Sequence, residues 1–273
     1  MIAPELIAFV AALGAGAFGA LAGVGGGLII VPILVALGVE LHTAIGVSLL
    51  GVIAVSTSAS VPYLRQGFAN RRLGLTLLVA TAAGGIGGGY VAGLLDARAL
   101  SGLFALVLVL VAIQMLRARG RSPAEVVGEA GRLEVDSSYV EPTTGETITY
   151  RARNVRPALG VSVIAGAVSG LMGIGGGVVN VPTMNVLMGV PIRVATATST
   201  FMLGATAAAS AVLYLSRGQI DALLAAAVVS GVYVGAAAGA RFSRRVSRQA
   251  LSLAFIVIAL IFAGQMAVRF ANG

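Results

Sequence analysis

The chain has 273 residues, 58% of them hydrophobic and only 10% charged, with a mean hydropathy of +0.99; ordinary soluble domains carry about 25% charged residues, so a soluble fold is excluded. The formal net charge is +8 and every basic residue is Arg, but the arginines stand at the ends of apolar runs, where membrane topology explains them and nucleic-acid binding does not. With no Cys, disulfides, thiol chemistry and Cys-based metal sites are excluded too.

The first apolar run, Leu6–Val24, has neither a basic region before it nor a cleavage site after it, and reads as a retained membrane span. It runs into Gly23-Val24-Gly25-Gly26-Gly27-Leu28-Ile29-Ile30-Val31-Pro32. Each glycine costs a continuous helix about 1 kcal/mol relative to Ala, so the stretch predicts a helix broken within the membrane, followed by a short segment, Gly27–Leu37. Runs long enough to cross the bilayer follow at Thr43–Leu64, Leu73–Leu95 and Ala99–Leu116.

Residues 117–156 are polar and carry six of the ten acids. Alternation in Arg132–Asp136 and Thr147–Arg153, around the turn chemistry of Glu141-Pro-Thr-Thr-Gly-Glu, predicts a small extramembrane β-hairpin; a disordered linker is the alternative.

The first pattern then returns. Long runs lie at Ala158–Gly173, Val194–Leu215, Ala222–Ala240 and Ala250–Val268, with a short one at Gly177–Met188 after Gly173-Ile174-Gly175-Gly176-Gly177-Val178-Val179-Asn180-Val181-Pro182. The glycine triplets are 150 positions apart, and a register of 151 then aligns Gly38 with Gly189, Ser48 with Ser199, Tyr63 with Tyr214 and Gly84 with Gly235. Coincidences in this order define an internal repeat. The chain thus divides into a first transmembrane repeat (1–116), a polar linker (117–156) and a second transmembrane repeat (157–273).

Arginine placement orients the halves. Arg65, Arg71 and Arg72 follow the third segment of the first repeat, whereas Arg241, Arg244, Arg245 and Arg248 follow the fourth segment of the second. Basic loops are cytoplasmic, so the repeats are inverted, the linker is cytoplasmic and both termini lie outside. The expected fold is an all-α polytopic protein of about eight long helices and two short half-helices, in the cytoplasmic membrane. Each repeat has a re-entrant broken pair and three spans, the arrangement of many secondary transporters.

A half-helix starting within the membrane exposes main-chain amides that hydrocarbon cannot satisfy, and its positive dipole end favours an anion. The candidate binding residues are therefore Gly25, Gly26, Gly27 and Pro32, and Gly175, Gly176, Gly177, Asn180 and Pro182. The hydroxyls of Ser48, Thr198, Ser199 and Thr200 join them, as groups able to donate to an oxyanion without adding charge. Close helix packing is the competing reading of the glycines, as for Gly84/Gly88 and Gly231/Gly235/Gly239, and a bond to the helix's own carbonyl is the competing reading of the hydroxyls. The ionisable groups Glu5, Glu40, His42, Asp96, Arg193 and Asp221 all fall near span ends, and no catalytic constellation or metal or cofactor site is expected.

Two spans ending in G-[VI]-G-G-G, each followed by a proline and a Ser/Thr-bearing segment and separated by a polar linker, resemble the TauE/SafE family of membrane anion permeases, the sulfite exporters. The resemblance covers nearly the whole chain. It implies secondary transport, usually outward, of sulfur-containing or organic oxyanions such as sulfite or an organosulfonate, by alternating access of the two repeats. The alternatives are a permease for a neutral solute or a cation, and a non-transporting scaffold or sensor built on the linker. The expected partners are a small anion and the lipid bilayer, with no nucleic acid; a homo-oligomer is left open.

Overall fold

The structure, a computed structural model, describes residues 4–118, 135–140, 145–242 and 248–272. Ten helices and one two-stranded sheet make up the described fold. The first repeat contains α1 (Pro4–Ala22), the short α2 (Gly27–Ala36), α3 (Leu41–Arg65), α4 (Arg71–Ala92) and α5 (Ala97–Ala118). After β1 (Val135–Val140) and β2 (Thr147–Ala152), the second contains α6 (Val155–Met172), the short α7 (Gly177–Pro182), α8 (Ile192–Ser216), α9 (Ala222–Phe242) and α10 (Arg248–Asn272). Among the described residues α1, α3, α4, α6, α8 and α9 are each long and apolar enough to cross a membrane, while the apolar parts of α5 and α10 are shorter. This is the all-α polytopic membrane fold, eight long helices and two short ones, that the hydropathy predicts.

Helix ends fall where cap chemistry puts them. The Glu40 carboxylate accepts from the Thr43 amide at 2.9 Å to start α3, and Asn70 Oδ1 accepts from the Leu73 amide at 3.0 Å to start α4. Gly26 and Gly176 cap α2 and α7 with φ of 74° and 72°, a left-handed conformation open to glycine without strain. The segment Gly177–Met188 is not uniformly α-helical. Pro182 has no N–H to continue the ladder, and the chain widens into a π turn over Thr183–Leu187, closed by the Met188 amide on the Thr183 carbonyl at 3.1 Å.

Close backbone contacts fix how the helices run. Gly84 and Gly88 of α4 lie on the carbonyls of Val163 and Ala167 of α6, and Gly231, Gly235 and Gly239 of α9 lie on those of Phe9, Leu13 and Ala17 of α1. Both pairs therefore run parallel. The two central helices, α3 and α8, run antiparallel: Gly46 near the start of α3 meets Gln219 beyond the end of α8, and the Asn70 amide beyond the end of α3 donates to Thr198 Oγ1 near the start of α8 at 3.0 Å. In α5 and α10, Arg98 at the start of one donates to the Phe270 carbonyl near the end of the other at 2.9 Å. Helices that correspond in sequence thus point in opposite directions, which is the inverted repeat. Small residues supply the approach because lipid gives packed helices no hydrophobic advantage.

The two strands pair antiparallel, with Tyr139 opposite Ile148. The alternation at Arg132–Glu134 and the turn 141–144 lie outside the described residues. The register is set by docking. The Tyr139 ring packs on Phe68 at 5.9 Å between centroids, and Asn70 Nδ2 donates to the Tyr150 hydroxyl at 3.0 Å. Beyond β2 the Arg153 amide donates to the Met188 carbonyl at 3.0 Å. The hairpin therefore touches the α3–α4 turn of one repeat and the α7–α8 connection of the other.

Candidate functional site at the crossing of two glycine loops

Both broken helices lead into the middle of the molecule. Gly23–Gly27 and Gly173–Gly177 are entirely buried, and they meet each other. A side-chain carbon added to Gly27 would fall on the Gly173 carbonyl, and one added to Gly177 would fall on the Gly23 carbonyl. Gly25 and Gly175 both face Val52 and Leu203, residues that correspond in the two repeats. The pseudo-two-fold axis therefore passes between Val52 and Leu203. Each lies about 17 Å from the start of a helix about 37 Å long, close to its midpoint.

Two hydroxyls seal the crossing. Ser48 Oγ donates to the Gly173 carbonyl at 2.9 Å, and Ser199 Oγ donates to the Gly23 carbonyl at 3.1 Å, each reaching the loop of the opposite repeat. Both protons are thus spent on main-chain carbonyls. Thr200 Oγ1 bonds the Thr196 carbonyl of its own helix at 2.9 Å, and Thr198 Oγ1 accepts from Asn70 beyond the end of α3. Neither threonine hydroxyl points its bond at the loops. Pro32 lies buried inside α2, where its carbonyl accepts from Gln265 of α10 at 3.1 Å, and Pro182 ends α7 ahead of the π turn.

The amides tell a different story. The first hydrogen bonds of α2 run from Ile29 and Ile30 to the Gly26 carbonyl at 3.0 and 3.2 Å, and those of α7 from Val179 and Asn180 to the Gly176 carbonyl at 3.2 and 3.0 Å. Ahead of them, among the described residues, the amides of Gly27, Leu28, Gly177 and Val178 meet no acceptor. The starts of two half-helices, with these four amides, thus come together without a charged side chain.

Two buried polar side chains beside these loops are also unpartnered. Asn180 is 2% exposed and its Oδ1 has no hydrogen-bond partner. Ser169 is fully buried, its Oγ is equally unpartnered, and its Cβ lies against Gly176. An orphaned buried polar group costs about 1–3 kcal/mol, so these two stand out among the side chains beside the glycine loops. Asn180 was legible as the one amide in either short segment. Ser169 was not, though a signal existed: its repeat counterpart is Gly19, as that of Asn180 is Ile30. Both unpartnered side chains beside the crossing thus come from the second repeat.

Inverted repeats with half-helices meeting near mid-membrane are an architecture of multi-pass membrane transporters. Comparison with known proteins places the chain further. The family model "Sulfite exporter TauE/SafE" matches residues 8–266, and the protein belongs to that family. It is similar to the probable membrane transporter protein YunE of Bacillus subtilis (strain 168), 28% identical over 270 residues and covering 96% of each chain. It is also similar to the probable membrane transporter protein YdhB of the same organism, 25% identical over 233 residues, 85% of this chain and 87% of the relative. No solved structure matches.

Proposed function

We propose that the protein is a secondary transporter of the cytoplasmic membrane that carries a small oxyanion, sulfite or an organosulfonate among the candidates, by alternating access of its two repeats. The observation that carries this reading is the pairing of two glycine loops whose half-helix amides stay unbonded beside Asn180 and Ser169. An oxyanion has acceptors on every side, which matches the main-chain N–H groups of the two half-helix starts and the Ser169 hydroxyl. A cation would meet the wrong end of both dipoles. In this arrangement Val52 and Leu203 close the axis on either side of Gly25 and Gly175, and passage requires their helices, α3 and α8, to shift against each other. The basic face, with the hairpin, is cytoplasmic in this reading.

Glycine substitutions test the site poorly, because Gly26 and Gly176 are left-handed and a side chain there would press on the carbonyls of Ala15 and Ala165. Asn180→Leu and Ser169→Ala are better. In proteoliposomes, flux of methanesulfonate or sulfite is expected to fall at least about tenfold in Asn180→Leu, the loss of one to two hydrogen bonds to an ion, with folding intact. Unchanged flux and unchanged competition among anions in both variants would remove the crossing from the pathway.

A further inference from the structure

At the membrane face opposite the hairpin lies a cluster of ionisable groups that the glycine loops do not use. The last carbonyls of α4 gather there. Arg217, from the C-terminal end of α8, donates to the Gly89 carbonyl at 2.8 Å and the Tyr90 carbonyl at 3.3 Å. His42, in the first turn of α3, is 3.1 Å from the Ala92 carbonyl through Nε2 and 2.8 Å from Glu40 Oε1 through Nδ1. A carbonyl can only accept, and an ionised carboxylate can only accept. Both contacts are hydrogen bonds only when a proton lies in each, whereas a neutral imidazole carries one N–H. Filling both contacts at once therefore takes one proton more than a carboxylate beside a neutral ring carries.

We propose that His42 and Glu40 form a proton-binding site that, when occupied, ties the start of α3 to the end of α4 and holds this face of the transporter closed. Release of one ring proton to water leaves a single N–H, which stays on the stronger, charge-assisted bond from Nδ1 to the Glu40 carboxylate; Nε2 then faces the Ala92 carbonyl as acceptor against acceptor, and the tie between the helices is lost. The route to water is short, since the His42 side chain is 13% exposed and that of Glu40 55%. The other charged groups of this face have their own work. Arg217 is bound to α4, Asp96 accepts from the Ala99 amide, Asp221 from the Leu224 amide, and Arg98 lies over the Phe270 ring at 5.6 Å. Glu5 and Arg269 stand at the ends of α1 and α10 on the same face.

The opposite face lacks the device. In the 151 register the partner of His42 is Arg193, whose guanidinium lies 5.9 Å from the Phe68 ring. His42 is the one histidine of the chain, so this pair has no twin at the other end, and the asymmetry would let a proton gradient give the cycle a direction.

This consequence for transport rests on the reading above, but the proton site does not, and the test separates them. The chain has no native Cys, so spin labels can be placed at Ala36→Cys and Leu94→Cys, both exposed positions at this face. In the otherwise unaltered chain, the distance between labels is expected to lengthen as the pH rises from about 5 to about 8, the range in which histidine changes charge. The shift should vanish in His42→Gln and in His42→Lys, which keeps a cation at every pH. A pH-independent distance in the parent chain, or the same shift in either variant, overturns the proposal. No solute is needed for this measurement. A shift that behaves as expected alongside proteoliposomes that move no methanesulfonate would condemn the oxyanion reading and leave the proton site standing.

Discussion

An enclosed amide side chain whose oxygen has nothing to bond, as in Asn180, should make a protein less stable than an apolar one in its place. Asn180→Leu is therefore expected to raise the midpoint of thermal unfolding in detergent while it lowers flux, by relief of a penalty of about 1–3 kcal/mol. Ser48→Ala and Ser199→Ala should do the reverse for stability. Each removes a bond between the repeats worth about 0.6 kcal/mol by membrane-protein standards, and the double variant should lose about the sum, read from unfolding curves in detergent. Glu40 adds a pH dependence. Partial burial works against its charge, but bonds from the His42 ring, the main-chain amides of His42 and Thr43, and the charge on His42 outweigh burial and hold the carboxyl below its ordinary value of 4.5. A depressed carboxyl gives stability that is complete above 4.5 and drains away as the pH falls through the lower, folded value. Thermal scans from neutral to acid pH should show this loss in the parent and a flatter curve in Glu40→Gln. At this scale the sequence was legible in part. Ser48 and Ser199 could be paired by register, but that they bond carbonyls of the opposite repeat depends on a crossing no local pattern encodes. Thr198 and Thr200 face away from the loops for the same reason.

Among the helices, the four-residue glycine spacing of α4 and α9 does what that spacing does in lipid, and brings backbones into contact. Gly88→Leu would put a side chain on the Ala167 carbonyl of α6, and Gly235→Leu would do the same at Leu13 of α1. Both should reduce the yield of monodisperse protein on size-exclusion chromatography, whereas Gly87→Leu, with nothing within 4 Å of its added carbon, should be tolerated. Helix number and type were legible because about twenty apolar residues in lipid have few alternatives to a helix. The breaks were legible because three adjacent glycines and a nearby proline are rare inside one. Partner choice was not: that α4 lies along α6 and α1 along α9 follows from the axis relating the halves, and the docking of the hairpin follows from Tyr139 finding Phe68, a contact between distant segments.

For the molecule as a whole, the direction of each helix makes a topological claim that single cysteines can check in a chain that has none of its own. Leu94→Cys and Val140→Cys are both exposed and lie on opposite faces. In intact spheroplasts a membrane-impermeant maleimide should label the first and spare the second, with both labelled after lysis; the reverse pattern would turn the molecule over. One consequence of the antiparallel α3 and α8 concerns energetics. Two identical halves about such an axis would give conformers open to either side that are mirror copies in energy, each equally populated. Whatever preference the resting molecule has must come from the places where the halves have drifted apart. Asn180 against Ile30, Ser169 against Gly19, Arg193 against His42, and a β-hairpin attached at one end only are thus the weights on an otherwise even balance.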